Sequence, residues 1–149
     1  NADNFYKGGI ASMLSINLTL AIVVGVDLAM ISLGCQRLRN FLHSVSHIRN
    51  DADLEHFQRV AAIQMHISML HLCACVAITG LSLMAWRLAN YPRSAIVVWA
   101  FLIAGCCLFA QRGHRCAARV QAVPVSNPIL APRRKHVIDT WRRGILPDW

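Results

Sequence analysis

The sequence is short of acidic residues, and charge of either sign is missing from long stretches of it. Its 149 residues include 7 Asp and Glu against 15 Lys and Arg, and 56% of the residues are hydrophobic. A soluble domain of this length would carry charge along its whole surface, whereas long uncharged apolar stretches are typical of membrane helices. The composition therefore predicts an integral membrane protein.

Recognisable motifs for catalysis and for nucleic-acid binding are also missing. The sequence has no phosphate-binding glycine loop, no nucleophile elbow, no HExxH and no pair of carboxylates at catalytic spacing. The formal net charge of +8 comes from basic residues that flank apolar stretches, and no base-stacking or groove-reading motif accompanies them. We therefore favour a non-catalytic role, assign no catalytic residue and no metal site, and expect no nucleic-acid partner.

Three apolar stretches are long enough to cross a bilayer, since a spanning helix needs roughly 20 residues. We predict an all-α protein whose spans cover about residues 10–33, 60–85 and 95–110. The other segments are a short amino-terminal stretch, a loop and a basic tail, at residues 1–9, 34–59 and 111–149. Asn90 and Pro92 interrupt the helix between spans two and three, which should therefore form a tight hairpin.

Basic residues predict the orientation of these spans. The loop and the tail together hold twelve Lys and Arg, whereas the amino-terminal stretch and the hairpin turn hold only Lys7, Arg87 and Arg93. Segments that stay in the cytoplasm carry the excess of Lys and Arg. The amino terminus should thus lie on the trans side and the carboxyl terminus in the cytoplasm or matrix, in a bacterial inner membrane or an organelle inner membrane. Trp86 and Tyr91 fit the headgroup level of the hairpin turn.

The loop is predicted to contain helical structure of its own. Five of its apolar residues recur at helical spacing: Leu38, Phe41, Leu42, Val45 and Ile48. The first helix should therefore continue, or resume, as an amphipathic segment outside the membrane. Asp51 or Asp53 should then cap the second helix, where acidic side chains are favoured.

Prolines divide the tail into a basic extension of span three and a short terminal helix. Pro124 ends the extension, and Pro132 is well placed to start a helix that stops at Gly144. Apolar and basic residues share this helix, which suits a membrane surface or the groove of a partner. We predict lipid or partner contacts from Arg133, Arg134, Lys135, Trp141, Arg142 and Arg143.

Span two carries the most informative pattern, a stripe of polar residues on one helical face. Its members are three or four residues apart: Gln64, Ser68, His71, Cys75, Thr79 and Ser82. Polar groups facing hydrocarbon would be unfavourable, so this face should contact protein. A helix-packing seam is the favoured interpretation, and a cofactor or substrate face centred on His71 and a pore lining are the alternatives.

His66 and His71 are candidate axial ligands for a haem or a chlorophyll-type tetrapyrrole. They lie five residues apart and project about 140° from each other, so one helix cannot offer both to one metal ion. A bis-histidine haem would need a second copy or another subunit. His66 also shares a face with Met69 and Cys73, a soft set that could hold copper, although packing is the favoured role for these residues.

Asp27 is the only ionisable residue of span one, and a carboxylate inside a membrane is by default a functional candidate. Structural pairing is the favoured interpretation over proton transfer. Three kinds of partner are equally open for Asp27: His66, which should lie at a similar depth in span two, hydroxyl groups of Ser or Thr, or an Arg from a partner subunit.

The six cysteines are predicted to be free thiols, because none is placed for a disulfide in an oxidising compartment. Cys73 and Cys75 are two residues apart, unlike the three of a redox CxxC motif. Cys106 and Cys107 are adjacent and point in different directions. We interpret the cysteines as small apolar fillers.

Three spans with an intramembrane histidine resemble the outline of the haem-anchoring subunits of succinate dehydrogenases. The serine, arginine and aspartate neighbours of quinone and haem in those subunits are not recognisable here, and membership is not inferred. The leading hypothesis is an accessory subunit of a larger membrane complex, in electron transfer or photosynthesis, that contacts lipids and other subunits. A pigment or electron-transfer subunit using His71 or His66, and a homo-oligomeric channel or transporter, are the alternatives.

Overall fold

A computed structural model describes residues 2–88 and 93–143, which are helical almost throughout. The helices are α1 (Ala2–Ser44), α2 (Asp51–Leu88), α3 (Arg93–Gln121) and α4 (Ala131–Arg143), with a 3-10 turn at Pro128–Leu130. Within the described residues, α1, α2 and α3 are each long and apolar enough to cross a membrane. The predicted all-helical class is confirmed, together with three helices able to span a bilayer.

The helices extend well beyond the predicted spans. α1 continues through much of the predicted loop to Ser44, and α2 already begins at Asp51, so only residues 45–50 connect them. Helical spacing of apolar residues on both sides of this connection explains the extension, because it gives each helix a face to bury. The predicted hairpin turn falls on residues 89–92, which, like Gly144, lie outside the described residues.

Asn50 caps the amino terminus of α2, in place of the predicted Asp51 or Asp53. Its Oδ1 accepts a hydrogen bond from the backbone N–H of Asp53 at 2.8 Å. The carboxylate of Asp53 accepts in turn from the backbone N–H of Arg49 at 2.9 Å. Acidic residues suit the positive first turn of a helix, whereas the cap itself is the flanking residue with non-helical backbone.

The chain divides into two compact units, the first comprising Asn1–Ala29 with His71–Leu108 and the second Met30–Leu70 with Phe109–Trp149. The buried apolar cluster of the first unit is small: Leu20, Val24, Ile78, Ala85, Trp99 and Cys106. Many of its other large apolar side chains are exposed, among them Phe101 at 74%. Such a surface has to be covered by hydrocarbon or by other protein, as expected of a membrane segment.

The second unit holds a larger core, built from the ends of the long helices, the connection at residues 45–50 and the tail. Its buried residues are Leu38, Phe41, Val45, Ile48, Leu54, Phe57, Val60, Ala61, Met65, Ala117, Val120, Val123, Leu130, Val137, Ile138 and Trp141. The ring of Phe57 contacts the rings of Phe41 and Trp141, at centroid distances of 6.0 and 6.1 Å. These aromatic contacts stabilise the core by more than the burial of their area alone.

Backbone hydrogen bonds tie the connection at residues 45–50 to the tail. The N–H of Ile48 donates to the carbonyl of Pro124 at 3.0 Å, and the N–H of Ser126 donates to the carbonyl of Ile48 at 3.0 Å. Ile48 itself is fully buried. The bonds satisfy backbone groups that burial would otherwise leave without partners.

Helix α4 packs its apolar face into this core, which corrects the prediction for Trp141. Val137, Ile138 and Trp141 are buried, so this face is not available to lipid or to a partner.

Arg134 also stabilises the fold, since its guanidinium donates a hydrogen bond to the carbonyl of Gln121 at 2.6 Å. That carbonyl is at the negative end of the α3 dipole, and burial lowers the pKa of the Arg134 guanidinium.

The other basic residues of the tail remain at the surface. Arg133, Lys135, Arg142 and Arg143 are exposed. Arg133 donates to the carboxylate of Asp51 at 2.7 Å. Both side chains of this pair are more than half exposed, so the pair contributes at most about 1 kcal/mol to stability.

Gly34 on α1 leaves room for the ends of two α2 side chains in the second unit. A Cβ at this position would lie 2.9 Å from Cδ1 of Ile67 and 3.0 Å from Oε1 of Gln64.

We expect Gly34→Val to lower the free energy of unfolding by about 1–3 kcal/mol, because the added methyl groups overpack this contact. The matched control is Gly25→Val, since a Cβ on Gly25 meets nothing within 4 Å. Denaturant titration in detergent micelles measures both variants, and equal losses would contradict the close approach.

Candidate functional site

Four side chains from three helices meet inside the first unit. Asp27 lies on α1, His71 and Cys75 lie on α2, and Cys107 lies on α3. Asp27 is fully buried, His71 and Cys75 are half-buried, and Cys107 is exposed. We call these four residues the His71 cluster.

A hydrogen bond joins His71 to Asp27. Nδ1 of His71 lies 2.8 Å from Oδ2 and 3.0 Å from Oδ1 of Asp27. An ionised carboxylate only accepts hydrogen bonds, so Nδ1 carries the donated proton, and a neutral ring then has its lone pair on Nε2. The candidate pairing of Asp27 with His66 is therefore wrong. His66 projects about 140° away from His71 around α2, and it is His71 that faces α1.

Two thiols complete the cluster. Sγ of Cys75 lies 3.8 Å from Nε2 of His71, because the two residues are one helical turn apart on α2. The donor atoms of His71, Cys75 and Cys107 all lie within 4.8 Å of one another. The spacing of His71 and Cys75 was visible in the sequence, whereas Cys107 was missed, since a contact from another helix leaves no periodic signal.

The environment of His66 differs from that of His71. Nδ1 of His66 lies 2.7 Å from the carbonyl oxygen of Ala62 on its own helix, and the residue is exposed. Met69 and Cys73, which share its face, are exposed as well. Among the described residues, the group of His, Cys, Asp and Glu side chains close enough to share a metal ion does not include His66.

The polar stripe of α2 passes through several environments. Gln64 is half-buried in the second unit, and its Oε1 has no hydrogen-bond partner within the described part of the chain. Ser68 is exposed. Thr79 is also exposed and donates to the carbonyl of Cys75 at 2.8 Å, whereas Ser82 is buried. Because burial varies along the stripe, its role as one continuous packing seam stays a prediction.

Comparisons with known proteins assign neither a family nor a function to this chain. No family model, no curated protein and no solved structure matches the chain. A function has to be argued from the His71 cluster and from the exposed surface of the helices.

Proposed function

We propose that this chain is a small subunit of a larger membrane complex, of the electron-transfer or photosynthetic kind. The observation that carries the proposal is the exposure of His66 on the apolar part of α2. Met69 and Leu70, three and four residues further along on the same side of the helix, are each 49% exposed, so this surface has to face lipid or protein. An imidazole ring facing hydrocarbon would be unfavourable, which favours a neighbouring subunit at this face.

Basic residues of the second unit supply a further contact surface. Lys135, Arg142 and Arg143 remain exposed on α4, and Arg37 and Arg59 line one groove. Such charge suits anionic lipid headgroups or an acidic surface of a partner. The excess of Lys and Arg supports a cytoplasmic or matrix location for this side and a trans location for the amino terminus. A bacterial inner membrane or an organelle inner membrane fits that arrangement.

The test is extraction from the native membrane with a mild detergent, followed by mass spectrometry of the co-purifying proteins. We expect defined membrane subunits to accompany the wild-type chain. His66→Leu should lower their recovery about tenfold, the equivalent of about 1.4 kcal/mol, because a polar contact between helices is lost. Leu72→Ala is the matched control, since Leu72 is 60% exposed and lies on a different side of α2 from His66.

Three outcomes would contradict this proposal. A stable monomer without partners would remove the need for a covered polar face. A symmetric homo-oligomer that conducts ions would instead support a channel or transporter. Recovery of the chain in the soluble fraction after carbonate washing would overturn the membrane placement itself.

A second candidate function is ligation of a haem or a chlorophyll-type tetrapyrrole by His71. The observation that favours it is the bond from Nδ1 to Asp27, which leaves the lone pair of Nε2 free to bind a metal. The isolated complex should then show a Soret band that His71→Ala removes. Loss of the band in His66→Ala would assign the ligand to His66, and a colourless complex would exclude this function.

A further inference from the structure

We infer that the His71 cluster binds one zinc ion. The donors are Nε2 of His71 and the Sγ atoms of Cys75 and Cys107, both as thiolates. Asp27 acts through His71 and does not touch the ion. This inference goes beyond the proposed function and does not depend on a partner subunit.

The spacing of the donor atoms suits a single ion. Zinc binds thiolate sulfur at about 2.3 Å and imidazole nitrogen at about 2.0–2.1 Å, so neighbouring donors of a tetrahedral site are about 3.6–3.8 Å apart. Sγ of Cys75 lies 3.8 Å from Nε2 and 3.9 Å from Nδ1 of His71, so this thiol lies beside the imidazole ring and has to rotate toward Nε2 to share an ion with it. A ring nitrogen of His71 and the two Sγ atoms all lie within 4.8 Å of one another. The side chain of Cys107 is exposed and can rotate as well.

Asp27 is the positioning residue of this site. A histidine that binds a metal through one ring nitrogen usually donates the other N–H to a carboxylate or a carbonyl, which holds the ring in the binding orientation. Asp27 accepts that bond from Nδ1 at 2.8 Å. Complete burial of a carboxylate in a membrane helix is unfavourable without a partner. The bond to His71 supplies that partner, and the carboxylate in turn holds the imidazole ring in its metal-binding orientation.

The donor set and the charge favour zinc over other ions. Thiolate and imidazole are ligands for Zn²⁺ and Cu⁺, whereas Mg²⁺ and Ca²⁺ require oxygen. Two thiolates neutralise Zn²⁺, while with Cu⁺ they would leave a surplus negative charge near Asp27 in an apolar setting. The two thiol protons pass to water when the ion binds, so charge and atoms balance.

The site also has an open coordination position. One imidazole and two thiolates leave the fourth position of a tetrahedron for water or another ligand. A tetrapyrrole suits the site less well, because it would use only Nε2 of His71 and leave both thiols without a role, whereas a single ion uses all three donors. The expected occupant is therefore a single ion.

Zinc binding to the purified full-length protein in detergent tests the inference. Metal analysis should find about one zinc per chain, and competition with a chelator should give its affinity. Cys75→Ser, Cys107→Ser and His71→Ala should each abolish stoichiometric binding. Asp27→Asn should weaken binding about 10–100-fold, because it disturbs only the support of a ligand. Cys73→Ser and His66→Ala are the matched controls on α2 and should bind as the wild type does.

A thiol-protection measurement on the wild-type protein covers the case in which a variant fails to fold. Added zinc should protect Cys75 and Cys107 from N-ethylmaleimide, and a chelator should restore their modification. Cys73, which is exposed on α2, should react at the same rate with and without zinc. Absence of zinc binding by the folded wild type, unchanged binding when both Cys75 and Cys107 are serine, or selective binding of Cu⁺ in place of zinc would overturn the inference.

Discussion

Replacing His71 with leucine should lower the free energy of unfolding by about 3–5 kcal/mol, the usual effect of removing one partner from a buried ion pair or hydrogen-bonded charge. Asp27 is fully buried, and in the described structure its carboxylate oxygens lie 2.8 and 3.0 Å from Nδ1 of His71. Leucine supplies no donor, so the carboxylate would be left without that bond in an apolar setting. Denaturant titration in micelles with a chelator present measures the change without a contribution from bound metal.

The reverse substitution should have a smaller effect. Asp27→Leu leaves an unpaired imidazole N–H rather than an unpaired charge, so we expect a loss of about 1–3 kcal/mol. The double variant Asp27→Leu with His71→Leu should lie within about 1 kcal/mol of the wild type, because two apolar side chains can replace a buried polar pair. Additive losses in the double variant would show that the two side chains do not interact.

Replacing Trp141 with alanine should lower the free energy of unfolding by about 3–5 kcal/mol, the range for removal of a large aromatic side chain from a core. Trp141 is only 8% exposed and its ring contacts Phe57 at a centroid distance of 6.1 Å. The loss should appear in the second unit, as faster proteolysis of α4 together with a lower denaturation midpoint.

Ile129→Ala provides the matched control for Trp141. Ile129 belongs to the same tail but is 80% exposed, so its truncation should change stability by no more than about 0.5 kcal/mol. If Trp141 instead lay in lipid headgroups, Trp141→Ala would weaken only membrane or partner binding. Unchanged stability of Trp141→Ala, with reduced membrane binding, would contradict its place in the core.

Local sequence patterns predicted much of the helical structure and little of the tertiary pairing. The helical spacing of Leu38 and Phe41 indicated that α1 would continue beyond its predicted span, and both residues are buried within α1. Val45 and Ile48 follow the same spacing and are buried too, but they lie beyond the end of α1 at Ser44. The same reasoning placed Trp141 at a membrane surface or in the groove of a partner, because the pattern of a mixed apolar and basic helix fits those surfaces and a core equally well. The contact of Trp141 with Phe57 places this side chain in a core, and that contact is not visible in the sequence pattern.

In the candidate site too, the sequence patterns predicted some residues and missed their pairing. Spacing placed His71 and Cys75 on one face of α2, and the rarity of intramembrane carboxylates singled out Asp27. Depth alone suggested His66 as a partner of Asp27, whereas the rotation of α2 about its axis presents His71 to α1. Cys107 could not be predicted, because its contact with α2 depends on the packing of a third helix.

The sequence by itself determined that this protein has three apolar helices for a membrane, since hydrocarbon selects for long uncharged stretches whatever surrounds them. It also determined which residue types each helical face carries, because the helical repeat is a property of the backbone. The tertiary structure alone decided that Asp27 pairs with His71, that Cys107 joins them and that Trp141 is buried. Those outcomes depend on how helices distant in sequence are rotated and aligned, and that alignment is a sum of many weak contacts rather than a local pattern.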